Sequence, residues 1–319
     1  MRAYQIRKTH GKAEFCQIDT PEPGAGQVRV TIHACGLNFA DLLIQNGTYQ
    51  DIPAAPFTLG MEIAGVVDAV GESVSGLATG DRVAVYAGQG GLAEQGVFDA
   101  DRVIRLPDGM SFEHAAGFQI AYGTSHMALD HRARLQPGET LLVTGAAGGV
   151  GLTAVEIGKL MGARVIAHAR GADKLEVARA AGADHLIDDC EDLREHVLAL
   201  GGADVVYDAV GGAAFKAAFR AMRPEGRLLA IGFASGEVPQ IPANHLMVKN
   251  LDVIGFYIGG YTRFRPEVVR DSFSTLLRWY GEGRLHPHVS HVLPLDEVEA
   301  GMELIRSRKS TGKVVIRIR

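Results

Sequence analysis

From residue 27 to 34 the chain alternates strictly. Val28, Val30 and Ile32 fall on one face and Arg29, Thr31 and His33 on the other, the two-residue period of a half-buried strand. Further strands are predicted at 63–70, 82–87 and 95–98, separated by glycine-rich turns such as 88–91, and a helical segment at about 112–131. Past residue 140 the texture changes. Strands at 141–144, 164–167, 185–187, 205–208, 227–231 and 251–256 alternate with helices at 150–161, 174–181, 192–200 and 213–222. Repeated strand–helix units predict an α/β protein whose doubly wound, mostly parallel sheet carries helices on both faces. The tail adds helices at 267–280 and 296–306 and a closing strand at 313–318. A nucleotide-binding domain over 121–260 is thus expected inside β-rich material at 1–120 and 261–319. Small ligands favour domain interfaces and the carboxyl ends of parallel strands, so the cleft between the two domains is the expected active site.

The most telling stretch is 141–151. Apolar Leu141, Leu142 and Val143 run into Thr144-Gly-Ala-Ala-Gly-Gly-Val-Gly151, and Val150, Ala154, Ile157 and Met161 then recur at helical spacing. Strand, small-residue turn and helix are how a protein holds a pyrophosphate. The backbone can come close, and the helix start offers unpaired N–H groups and the positive end of its dipole. The core reads Ala146-x-Gly148-x-x-Gly151, which makes Ala146, Gly148, Gly149, Val150 and Gly151 candidate dinucleotide contacts. An NAD site of this kind wants an acid about 20 residues further on, to hold the ribose 2′-hydroxyl. Here the second strand ends in Ala169-Arg170. Asp173 is near the right distance, but with Glu176 it reads as a capping box opening the next helix. Arg170 and Lys174 suit a 2′-phosphate, which favours NADPH over NADH. The alternative is that both are solvated surface charges.

Composition narrows the function classes. A chain of 319 residues, 47% hydrophobic and 22% charged, suits a soluble protein of two domains. A net charge of −5 without a basic run gives no support for nucleic-acid or anionic-membrane partners. Residues 1–10 lack the apolar core of a signal peptide, and no stretch of 18 apolar residues indicates a membrane span. Cys16, Cys35 and Cys190 lie far apart, as free thiols in a reducing compartment do, so the cytoplasm is expected. The tract Leu285-His-Pro-His-Val-Ser-His291 has the look of a metal site. In an extended segment His286 and His288 would share a face, His291 would oppose them, and no carboxylate or cysteine is adjacent in sequence.

Several segments together carry a family resemblance. They are Asn38-Phe-Ala-Asp41 with Gly47-Thr-Tyr49, Leu59-Gly-Met-Glu-Ile-Ala-Gly65, Thr144–Gly151, Tyr207-Asp-Ala-Val-Gly-Gly212 and Thr311-Gly-Lys-Val-Val315. With these the chain resembles the medium-chain dehydrogenase/reductase superfamily, and within it the zinc-free quinone oxidoreductases related to zeta-crystallin. The resemblance implies a GroES-like barrel domain that is catalytic, a Rossmann domain and a homodimer. Zinc members place Cys, His and Cys where this chain has Asn38, Met61 and, nearby, Ala116, a set that cannot supply three zinc ligands. Metal ligands are therefore expected to be none.

The resemblance also implies hydride transfer from NADPH to a conjugated acceptor, a quinone or enone. Asn38 would donate to the developing enolate oxygen, and Tyr49 would serve as second donor or proton source. The Gly232-Phe-Ala-Ser235 loop would run beside the nicotinamide, with Phe233, Phe256 and Tyr257 at the same cleft. Lys313 would stand near the cofactor or form a surface salt bridge. An enoyl-thioester (acyl-CoA) reductase and an NADPH-binding protein with little turnover are the alternatives.

Overall fold

In the computed structural model, which describes residues 1–8 and 11–319, the chain forms two compact units. One is Met1–Ile120 with Pro287–Arg319, the other Ala121–His286. Thr9 and His10, the end of the stretch read above for a leader, lie outside the described residues. No helix among the described residues is long and apolar enough to cross a membrane.

The first unit opens with strands β1 (Arg2–Ile6) and β2 (Ala13–Gln17), then the long β3 (Gln27–Leu37). On β3 the predicted alternation is realised: Val28, Val30 and Ile32 are wholly buried, and the polar residues between them are half-buried. Helix α1 (Phe39–Gln45) follows at once. Then come β4 (Phe57–Thr58), β5 (Glu62–Val70), β6 (Arg82–Tyr86), β7 (Gln95–Asp99), β8 (Val103–Arg105) and helix α2 (Phe112–Ala116). β3 is the hub, pairing antiparallel with β5 and with β7. The side chains it turns inward meet Ile63, Val67, Val83, Val85 and Phe98 in one apolar core. Such side chains contribute about 1.5–3 kcal/mol each when fully buried. The helix predicted over 112–131 is interrupted. α2 stops at Gly117, where an added Cβ would come within 3.2 Å of the Lys313 side chain.

In the second unit, α3 (to His126, from Gln119) runs on into a wide π-turn, Met127–Arg132. Next come β9 (Thr140–Thr144), α4 (Gly149–Leu160), β10 (Arg164–Ala169), α5 (Ala172–Ala180), β11 (His185–Asp188) and α6 (Leu193–Ala199). They are followed by β12 (Ala203–Asp208), α7 (Gly212–Arg220), β13 (Met222–Ala230), α8 (Ala243–Lys249) and β14 (Asp252–Gly255). The six strands are all parallel in the order β11-β10-β9-β12-β13-β14. The winding therefore reverses between β9 and β12, and the carboxyl end of β9 sits at the switch point, where ligands of this fold bind. Helices α9 (Ile258–Phe264) and α10 (Pro266–Gly281) complete the unit.

The placement of α10 departs from the sequence reading, which ended this domain at residue 260. Ser272 on α10 is 2.8 Å from the His126 ring, and the Phe273 ring lies where a Cβ on Gly123 would meet it at 3.1 Å. The apolar face of α10 is spent on α3, so 261–286 belong to the second unit. One carboxylate ties this unit's two ends. Glu156 on α4 accepts from the Tyr122 hydroxyl at 2.6 Å and from the His286 backbone N–H at 2.6 Å.

The chain returns to the first unit through β15 (Val289–Pro294), α11 (Val298–Arg306) and β16 (Lys313–Arg317). β16 pairs antiparallel with β3 and parallel with β15. The histidine tract is scattered by this path. His286 lies 3.3 Å from Glu156, His288 bonds Thr311 and His291 bonds Ser290. A carboxylate does stand beside His286, contrary to the local reading, because α4 supplies it from 130 residues away.

Candidate active site

The second unit builds a small-residue turn between β9 and α4. The chain leaves Thr144 through Gly145, whose φ of 64° lies in the left-handed region that favours glycine. Gly148 is the N-cap of α4, and its backbone N–H bonds Gly145 O at 3.0 Å. Two glycines here do different work. A Cβ on Gly151 would sit 2.1 Å from Gly145 O, so only glycine lets α4 close on the turn. A Cβ on Gly148 would meet a single atom, Gly145 O at 3.3 Å, and otherwise open space. Gly148 is exposed and its φ of −79° suits any residue, so nothing inside the protein demands glycine there. Backbone bared toward open space at the start of α4 is what an incoming pyrophosphate requires.

Neighbouring loops are fastened to this turn. Asp208, buried at the end of β12, accepts from the Thr144 hydroxyl and from the N–H groups of Val210 and Gly211. Burial holds its carboxyl above the usual range, opposed by these hydrogen bonds. Ile231 and Gly232 donate in turn to Asp208 O, at 2.9 and 3.3 Å. The Phe233 ring is exposed. Phe256, by contrast, is buried and packs its ring on Tyr261 at 5.5 Å, so it contributes mostly packing.

At the tip of β10 the Arg170 guanidinium is exposed and lies 3.5 Å from Asp189, which also stands 3.5 Å from the His168 ring. The predicted capping box does not form. Helix α5 starts at Ala172 with Gly171 as its N-cap, and Asp173 falls in its first turn. Gly171 adopts φ 80° and gives its N–H to Asp188 at 2.9 Å, so the acid that fastens this turn comes from β11. Lys174 follows on the first turn of α5.

The first unit gathers a different set. Asn38 is the N-cap of α1, in a capping box with Asp41 at the third helical position. Its Oδ1 accepts from Lys313 Nζ at 2.7 Å, and its Nδ2 donates to Gly36 O and to Glu62 Oε2, both at 3.2 Å. Lys313 also donates to Glu62 Oε2 at 2.9 Å, and Glu62 Oε1 accepts from the Ile120 N–H at 2.9 Å. Glu62 and Lys313 are both buried, so the surface salt bridge considered for Lys313 is replaced by an interior one. Asp41 completes the group by accepting from the Asn38 N–H at 2.8 Å. Its own burial pushes its carboxyl up to about 7. Met61 is buried beside Glu62 in the chain. Tyr86, in register with Glu62 across β5 and β6, is held above the ordinary tyrosine value by burial first and then by the neighbouring Tyr49.

Comparison with known proteins bears on both units. Residues 24–108 match the family described as alcohol dehydrogenase GroES-like domain, and residues 149–279 the family described as zinc-binding dehydrogenase. A quinone oxidoreductase-like protein 2 homolog from Nematostella vectensis is 42% identical over 94% of this chain and 84% of its own length. A crystal structure of the quinone oxidoreductase from Thermus thermophilus, described with its NADPH complex, is 35% identical with a TM-score of 0.88 over all of both chains. The Escherichia coli quinone oxidoreductase complexed with NADPH is 28% identical with a TM-score of 0.90 over 99% of each. This chain belongs to the quinone oxidoreductase branch of the medium-chain dehydrogenase/reductase superfamily.

Within that family's two-domain plan, the structure brings Ala146, Gly148, Gly149, Val150 and Gly151 into one elbow. Arg170 and Lys174 stand at the tip of β10, and Gly232 and Phe233 follow β13. Asn38 and Lys313 meet in the first unit, while Tyr49 stands toward Tyr86. Sequence reasoning missed Glu62, Tyr86, Thr144 and Asp208. Glu62 and Asp208 were within quoted family segments, but their partners come from distant strands, which periodicity does not reveal.

Proposed function

We propose that this protein is a zinc-independent oxidoreductase that transfers hydride from NADPH to a quinone or another conjugated carbonyl acceptor. The observation that carries the reading is the exposed, sterically undemanded Gly148 at the start of α4, backed by the exposed Arg170 one strand away. The elbow fits a dinucleotide. Gly148, Gly149 and Val150 would take the pyrophosphate on backbone N–H groups, and Arg170 with Lys174 would take the 2′-phosphate. Bound there, a reduced nicotinamide supplies the hydride. The chain's own part is to orient and to exclude water. The Thr144–Asp208 bond sets the turn, and the loop of Gly232 and Phe233 is fastened to the same aspartate.

Zinc does not fit the donor set. Asn38 is engaged by Lys313 and Glu62, Met61 is packed in the core, and Ala116 carries no donor. An acceptor whose charge delocalises onto oxygen needs no Lewis acid of that strength. Tyr49 is the hydroxyl we assign to proton delivery. A cytoplasmic homodimer is the expected state. Exposed Val238, Ile241, Met247 and Val248 precede β14, whose outer edge pairs with no strand among the described residues, and they offer an apolar seam to a second copy.

The test is steady-state NADPH oxidation with 9,10-phenanthrenequinone, 1,4-benzoquinone and crotonyl-CoA, with metal content measured on the same preparation. Turnover of the quinones without bound metal supports the reading. Turnover of crotonyl-CoA alone favours an enoyl-thioester reductase, and cofactor binding without any turnover removes the enzymatic claim.

A further inference from the structure

Hydrogen-bond accounting around Asn38 fixes which way its carboxamide faces. An ammonium only donates, so the Asn38 atom 2.7 Å from Lys313 Nζ is the carbonyl oxygen. The amide nitrogen therefore faces Gly36 O and Glu62 Oε2, and its two N–H groups have these two acceptors at 3.2 Å. Turning the amide over would set N–H groups against an ammonium and a carbonyl oxygen against a carboxylate. The Lys313–Glu62 pair thus selects one of the two flip states. Lys313 is itself tied to Glu62, and Glu62 is held from its other oxygen by the Ile120 N–H. Lys313 lies on β16, Glu62 on β5 and Asn38 at the end of β3, so three strands of one sheet fix this carboxamide.

We propose that Lys313 is a positioning residue for hydride transfer rather than a cofactor ligand: with Glu62 it clamps the Asn38 carboxamide in one orientation and acts on the reaction through it. The proposal rests on the oxidoreductase reading above. Its physical content is that two of the ammonium's three donors serve Asn38 and Glu62, leaving the dinucleotide to the second unit's elbow and the tip of β10. Removing the ammonium frees the amide to turn and leaves a buried carboxylate without its counter-charge. Removing both charges lifts that second penalty.

Three variants test it: Lys313→Met, Glu62→Gln and the double Glu62→Gln/Lys313→Met. In Lys313→Met, kcat is expected to fall about 10- to 100-fold, as for a misplaced reacting group. The Kd for NADPH, read by the cofactor's fluorescence, should stay within about twofold. Thermal unfolding should show the double variant more stable than Lys313→Met. A Kd for NADPH weakened tenfold with kcat retained would make Lys313 a cofactor ligand and overturn the proposal. Additive stability losses in the double variant would overturn the clamp. The fluorescence and unfolding arms are read without turnover. If wild type fails with every acceptor but the two charges still couple in unfolding, the function fails and the clamp stands. If turnover is normal and the charges do not couple, the clamp fails alone.

Discussion

Two ion pairs, one in each unit, are built to opposite specifications. Glu62–Lys313 is interior, with side-chain exposures of 0% and 7%, and every oxygen of the carboxylate has a donor. Arg170–Asp189 lies at the surface, 65% and 45% exposed, at a separation of 3.5 Å. The interior pair cannot exchange partners, because desolvating either charge alone costs several kcal/mol. The exposed pair contributes little to stability, so its arginine can leave the aspartate for a stronger anion at small cost. On the function proposed above, charge used for orientation is locked away, and charge used for recognition is left to the solvent.

The largest expected effect comes from breaking the interior pair at one end. Glu62→Ala strands the Lys313 ammonium and should cost about 3–5 kcal/mol in denaturant unfolding. A loss below about 1 kcal/mol would put this pair in the same class as the exposed one. Next is the elbow beside the exposed pair. In the free protein a side chain at Gly148 would press only on Gly145 O, at 3.3 Å, so Gly148→Val should lower Tm slightly while NADPH affinity falls more than about 100-fold. Gly151→Val at the same turn should instead unfold the protein, since its Cβ would lie 2.1 Å from Gly145 O. If both variants bind NADPH, the cradle is elsewhere.

Asp41 gives the interior group a pH signature. Its folded carboxyl is pushed up to about 7 by burial, above its ordinary unfolded value. The native state therefore holds this proton more tightly than the unfolded chain does. The resulting stability is fully present below the unfolded value, near pH 4, and is lost as pH rises through about 7. Asp41→Asn keeps an acceptor for the Asn38 N–H but has no proton to lose. Its Tm relative to wild type should rise steadily from about pH 4 to about pH 8, and a flat difference would refute the shift. The smallest effects belong to the surface pair. Arg170→Ala should raise the KM for NADPH by about tenfold and leave NADH nearly unchanged, with Tm within about a degree. Asp189→Asn, which frees the arginine, should lower the KM for NADPH by about two- to threefold. Equal changes for both cofactors in either variant would remove the 2′-phosphate assignment.

How much of this was legible in the sequence depends on how far apart the partners lie. The β3 alternation, the strand–helix units and the β9–α4 elbow are local patterns, and each was readable within about a dozen residues. The Asn38 cluster was not, because Lys313 comes from 275 residues away and its role is set by sheet pairing. The same holds for Asp188, which displaced the expected Asp173 capping box at the start of α5. Helix α10 was misassigned for a related reason. The helix itself was plain, but the Gly123 and His126 surface it covers is over a hundred residues earlier.

The Glu156 carboxylate carries one more consequence. It grips Tyr122, near the start of the second unit, and His286, its last residue, so the entrance and exit of that segment share one point on α4. A segment whose two ends are stapled together is already a closed cassette. Excised at those ends, it is expected to keep its sheet order and its elbow, which circular dichroism and NADPH binding of the excised segment would check.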